Sequence, residues 1–176
     1  DAAAPINVAI SLGLYCAERA KGPYAGHYIS FASRPQLIET AGVDFVDKVD
    51  RIYATNLVDN TNIEAVFDLL LNTAIQNRCS QDEIPQNIII ISDMEFDSCM
   101  KGAELTNFAA AKKLFAAHGY VLPKVVFWNL NSRNRQQPVT MNEQGVALVS
   151  GCTPNIFSML RKGDFDPYSC MMEVLN

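Results

Sequence analysis

Apolar residues recur along the chain in two rhythms, and their alternation predicts the fold class before any motif is considered. Ile63, Val66, Phe67, Leu70, Leu71, Ala74 and Ile75 form one stripe at helical spacing, which predicts a helix over 63–78. Asn87-Ile88-Ile89-Ile90-Ile91-Ser92 is an unbroken β-branched run between polar ends. Such a run predicts a strand buried on both faces, as in the centre of a parallel sheet. Lys124-Val-Val-Phe-Trp-Asn129 and Gly145-Val-Ala-Leu-Val-Ser150 predict two more strands of the same kind.

The remaining segments fill in the order. Pro5 suits a first helical turn, and a helix over 5–21 follows, apolar around most of its circumference and ended by Gly22-Pro23. Residues 27–33 read as a strand. Residues 35–39 read as a short second one that Pro35 confines to a sheet edge. Val43, Val46, Val49 and Ile52 predict a helix over 43–53. Residues 107–118 predict another, closed by Gly119. Short helices are expected over 154–161 and 168–175. Strands alternating with helices indicate an α/β fold: a doubly wound, mostly parallel sheet with helices on both faces.

Composition narrows the function classes. The 176 residues fit one domain with ample core, and 49% apolar against 19% charged residues is a globular balance. No apolar run is long enough to cross a bilayer, and the first residues lack the basic start of a signal peptide. Five cysteines (Cys16, Cys79, Cys99, Cys152 and Cys170) are scattered without a Cys-x-x-Cys pair, which reads as reduced thiols in a cytoplasmic protein. The net charge of −5 argues against broad nucleic-acid binding, although Arg133 and Arg135 could begin a local basic patch. There is no Gly-x-Ser-x-Gly elbow, no Gly-x-x-x-x-Gly-Lys loop and no Gly-x-Gly-x-x-Gly turn after a strand. A serine-hydrolase triad and nucleotide binding by the familiar motifs therefore have no support in the sequence.

In α/β sheets ligands bind beyond the carboxyl ends of the parallel strands, so the strand exits are where chemistry is sought. Asp93 follows the isoleucine run directly, where a carboxylate can cap a turn or hold a hard cation. Thr61-Asn62-Ile63-Glu64 matches a capping box, while the Thr61 hydroxyl keeps lone pairs for a metal or its water. Glu95 and Asp97 alternate after Asp93, which gives either a solvated acidic loop or a two-metal hydrolase site.

Together these exits resemble the von Willebrand factor A-type domains, whose metal-ion-dependent adhesion site is built from three loops. In that family the first loop supplies Asp-x-Ser-x-Ser, the second a Thr before a helix, and the third an Asp after a central strand. Asn60-Thr61-Asn62 resembles the second loop and Ser92-Asp93-Met94-Glu95 the third. The chain is most similar to the A-type domain of Ro/TROVE ribonucleoproteins and to a related family of unknown function. The latter carries Leu-Gly-Leu-Tyr, Asn-Thr-Asn, Ile-Ser-Asp-Met-Glu-Phe-Asp, Phe-Trp-Asn-Leu-Asn and Val-Ser-Gly. These segments stand here at 12–15, 60–62, 91–97, 127–131 and 149–151.

The resemblance implies a binding module that holds Mg²⁺, or Mn²⁺ or Ca²⁺ in its place, through Thr61 and Asp93. Asn60, Asn62 and Glu95 would form a surrounding shell or touch the partner, a protein offering a carboxylate to the metal. The Ro-like resemblance carries a second reading, an RNA-associated domain of a ribonucleoprotein, and the acidic positions Asp93, Glu95 and Asp97 carry a third, a metal-dependent hydrolase. No Asp-x-Ser-x-Ser occurs in the chain, so its first central strand is expected to be missing and its own metal binding to be weak or absent. Each buried backbone group left unpaired by such a gap costs on the order of 1–3 kcal/mol. The gap is therefore expected to be filled by another segment, by a strand swapped between copies, or by a changed strand order.

Overall fold

The computed structural model describes residues 5–29, 34–40, 42, 44–55, 62–92, 104–129, 139–141 and 146–150. They fall into two compact units interleaved in sequence. One unit holds the main sheet, formed by β3 (Asn87–Ser92), β4 (Lys124–Asn129), β5 (Val139–Met141) and β6 (Ala147–Ser150). The other holds α1 (Pro5–Ala17, from Ile6 on), β1 (His27–Ile29), β2 (Leu37–Glu39), α2 (Phe45–Thr55), α3 (Ile63–Asn77) and α4 (Glu104–Ala117).

The sheet is a four-stranded array in the order β3-β4-β6-β5. β3, β4 and β6 are mutually parallel, and β5 closes one side antiparallel to β6. Parallel neighbours need a long crossover between them, and α4 lies in the connection from β3 to β4. The chain is thus a mixed α/β protein with a parallel sheet, as its alternating rhythms predict. β3 and β4 have the bounds read from the sequence, and β6 starts two residues later than the 145–150 run, at Ala147.

Among the described residues, β4 has a parallel neighbour on each side. Its Val125, Val126, Phe127 and Trp128 are all buried. β3 pairs only with β4 among the described residues, so of its isoleucines Ile90 alone is buried and Ile88, Ile89 and Ile91 are half-buried. Four consecutive isoleucines satisfy a strand covered on two faces, yet they do not reveal which strand has two neighbours.

In the helical unit, Ile63, Val66, Phe67, Leu70, Leu71 and Ala74 of α3 are buried, as the stripe requires. Ile75 departs from the stripe and stays 40% exposed in the last turn. α3 ends at Arg78, which takes the left-handed conformation (φ 52°) while the Cys79 N–H closes onto the Ala74 carbonyl (3.0 Å). α3 and α4 run side by side in the same direction. Phe67 and Phe108, each in the second turn of its helix, meet edge to face at 5.3 Å, and beyond the far ends the Tyr120 hydroxyl donates to the Cys79 carbonyl (2.9 Å).

α1 buries Ile10, Leu12, Leu14 and Ala17, which is the many-sided burial its apolar circumference predicts. It stops at Ala17, short of the expected 21. Gly22-Pro23 opens a 3-10 turn (Gly22–Tyr24) instead of a plain stop. The turn drives Tyr24 into the core, where its hydroxyl donates to the Leu70 carbonyl (2.7 Å). Burial pushes the Tyr24 phenol well above its ordinary pKa, so the group remains a donor. β1 and β2 form a two-stranded antiparallel ribbon, His27 opposite Glu39, separate from the main sheet. Both are shorter than their sequence runs, and the expected strand residues 30–33 and the helices over 154–161 and 168–175 lie outside the described residues.

Candidate functional site

The register of the parallel strands produces a line of polar positions at one edge. Ser92 of β3 is the lateral partner of Asn129 of β4, and Asn129 is the partner of Ser150 of β6. All three strands end there, and the chain continues into Asp93, Leu130 and Gly151. One position back, the row is Ile91, Trp128 and Val149. The next is Ile90, Phe127 and Leu148. Polar positions thus follow two apolar rows, of which Ile90, Phe127, Trp128 and Val149 are buried and Ile91 and Leu148 half-buried. This is the carboxyl edge, where ligands of parallel α/β sheets are bound.

The four residues with the sharpest expected roles, Asn60, Thr61, Asp93 and Glu95, lie outside the described residues, as do Asp97, Arg133 and Arg135. Asn62 is described, and it revises the capping assignment. α3 begins at Ile63, and the Asn62 side-chain oxygen accepts the Ala65 backbone N–H at 3.0 Å. Asn62 is therefore the N-cap in the place expected for Thr61, and Ala65 three residues on has no side-chain acceptor to complete a capping box. Thr and Asn are both good caps, and local sequence did not separate them. Asn62→Ala should cost about 1 kcal/mol, typical for loss of an N-cap, read as a lower urea midpoint at unchanged slope.

Among the described residues no three His, Cys, Asp or Glu side chains gather as metal ligands. Both histidines make local backbone bonds, His27 Nδ1 with the Ala25 carbonyl oxygen (2.7 Å) and His118 Nδ1 with that of Leu114 (3.0 Å). Cys16 and Cys79 are free thiols, and the other three cysteines lie outside the described residues. No helix among those residues is long and apolar enough to cross a membrane. The sequence reading missed Asn129 and Ser150 as members of one line. The signal was present, since each parallel run ends in a short polar residue, but only pairing register could align them.

The fold and its polar carboxyl edge define a mixed α/β protein with a parallel sheet. Within that class, the chain belongs to a family described as a domain of unknown function (DUF7788), whose model matches residues 1–173. It is similar to the uncharacterized protein L728 of Acanthamoeba polyphaga mimivirus, 32% identical over 173 residues. That alignment covers 97% of this chain and 30% of the viral protein, so the chain spans about a third of that relative's length. No solved structure matches.

Proposed function

We propose that this chain is a von Willebrand factor A-like, non-catalytic module that binds a protein partner through a divalent cation at the carboxyl edge of its sheet. The observation that carries the reading is the lateral line Ser92–Asn129–Ser150, with Asp93 following Ser92 in the sequence. A carboxylate leaving a parallel strand at such an edge is suited to Mg²⁺, which keeps most of its shell as water and takes one or two protein oxygens. Asp93 is the primary ligand in this reading, and Thr61 is the hydroxyl ligand that the resemblance names.

The finer form of the fold belongs to the same proposal: a doubly wound sheet whose first central strand, bearing Asp-x-Ser-x-Ser, would pair with β3. Two features support that placement. The outer edge of β3 has no strand partner among the described residues, and three of its four isoleucines, Ile88, Ile89 and Ile91, are only half-buried. A long apolar edge without charge, proline or bulge is normally covered. Adding such a strand would finish burying Ile88, Ile89 and Ile91 and bring its acidic loop to the carboxyl edge.

Mn²⁺ or Mg²⁺ titration by calorimetry tests the function. In the longest natural polypeptide carrying this domain, one cation should bind, and Asp93→Ala should weaken it by about tenfold or more. Unchanged affinity in a folded Asp93→Ala protein would remove the proposal.

A further inference from the structure

The carboxyl edge of the sheet is divided by charge. β3 runs on in sequence into Asp93, Glu95 and Asp97. No acidic residue follows β4 before Glu143, or β6 before Asp164, and these two strands end in Asn129 and Ser150. The β3 exit therefore suits a cation, whereas the β4 and β6 ends offer neutral hydrogen-bonding groups. An anion is repelled by acids unless a cation covers them, but it meets no such barrier at Asn129 and Ser150.

The register brings the two neutral groups together. Asn129 and Ser150 are lateral partners in parallel strands, and both are half-buried. Side chains alternate between the faces of a sheet, so Asn129 shares a face with Phe127 and Ser150 with Leu148, which are also lateral partners. The two polar groups thus stand side by side on one face, on strands about 4.8 Å apart. An Asn amide carries two N–H donors and a Ser hydroxyl one, so both side chains can donate to a single acceptor group. Hydrogen bonds of this kind are roughly twice as strong when the acceptor is ionised.

We propose that Asn129 and Ser150 receive the carboxylate of the protein partner. The Asn129 amide and the Ser150 hydroxyl donate to one carboxylate oxygen, while the cation at Asp93 takes the other. This rests on the cation reading above and adds to it the residues that select a carboxylate. A neutral carboxamide of the same shape loses both the charge-assisted bonds and the pull of the cation.

The test uses the longest natural polypeptide carrying this domain, saturated with Mg²⁺, with acetate and acetamide as probes. In nitrogen-15 NMR spectra, acetate should move the Asn129 side-chain amide signals and the Ser150 backbone signal, and acetamide should not. Asn129→Asp should weaken acetate binding by about tenfold or more while tightening Mg²⁺ binding, because an added carboxylate repels an anion and attracts a cation. Ser150→Ala should weaken acetate by about threefold, as for loss of one hydrogen bond, and it decides the matter alone if Asn129→Asp alters the far-UV circular dichroism. Mg²⁺ binding with acetate affinity unchanged in these variants overturns the inference and leaves the cation reading in place. A protein that binds no Mg²⁺ loses both, so the two failures are distinct. Acetamide binding as tightly as acetate, or inorganic phosphate binding more tightly at the same signals, also overturns it, because the pair would then not select a carboxylate.

Discussion

Trp128→Ala is expected to destabilise the protein by about 3–5 kcal/mol, the usual cost of removing a large buried aromatic side chain. Trp128 is 2% exposed in β4, the strand with a parallel neighbour on each side, and it lies between Ile91 and Val149 in one lateral row. Truncation leaves a cavity under the carboxyl edge that neighbours on two strands would have to fill together. Whole domains are stable by roughly 5–15 kcal/mol, so this one change removes a large part of the total. The thermal midpoint should fall by roughly 6–20 °C for a chain of this size. Far-UV circular dichroism is the appropriate probe, because Trp128 is the only tryptophan. Val121→Ser, at a residue 69% exposed, serves as the control and should stay within about 0.5 kcal/mol of the parent. A Trp128→Ala protein as stable as that control would mean that β4 is not the packed centre of the sheet.

The second large effect is the loss of cation binding in Asp93→Ala. Alanine removes both the negative charge and the oxygen offered to the metal, whereas Asp93→Asn removes only the charge. Affinity should therefore order as parent, then Asn, then Ala, with the last step at about tenfold or more below the parent. Thr61→Ala should cost less, since a neutral hydroxyl is readily replaced by water in an octahedral shell. None of these substitutions should shift the denaturation midpoint as far as Trp128→Ala. That contrast separates a binding effect from a folding one.

Several parts of this molecule were legible in the sequence, for identifiable physical reasons. β3 and β4 were readable because an unbroken β-branched or aromatic run admits few structures other than a strand covered on two faces. α3 was readable because its stripe repeats over several turns. β5 was missed: Val139–Met141 is three residues long, too short for a period-two pattern to register, and it exists because β6 offers it an edge. The exposure of Ile75, and of Phe45, Val46 and Tyr53 on α2, was equally hidden, since periodicity reports which face is apolar and not whether anything covers it.

At the candidate site the balance differs. Asp93 could be singled out because it follows a strand whose end is marked by the change from isoleucine to polar residues. The line through Asn129 and Ser150 could not, because it depends on the register among three strands far apart in sequence. The α3 cap was misplaced by one residue because Thr61 and Asn62 are both competent caps, and hydrogen-bond geometry chose Asn62.

Paramagnetic broadening by Mn²⁺ tests the central claim most directly. With backbone amides assigned, substoichiometric Mn²⁺ should selectively broaden the signals of Ser92, Asn129 and Ser150, at the ends of the three parallel strands. Asn87 and Lys124, paired at the opposite ends of β3 and β4, should remain sharp. Broadening centred on Asn87 and Lys124, or spread evenly over the acidic surface, would contradict a cation held at the carboxyl edge.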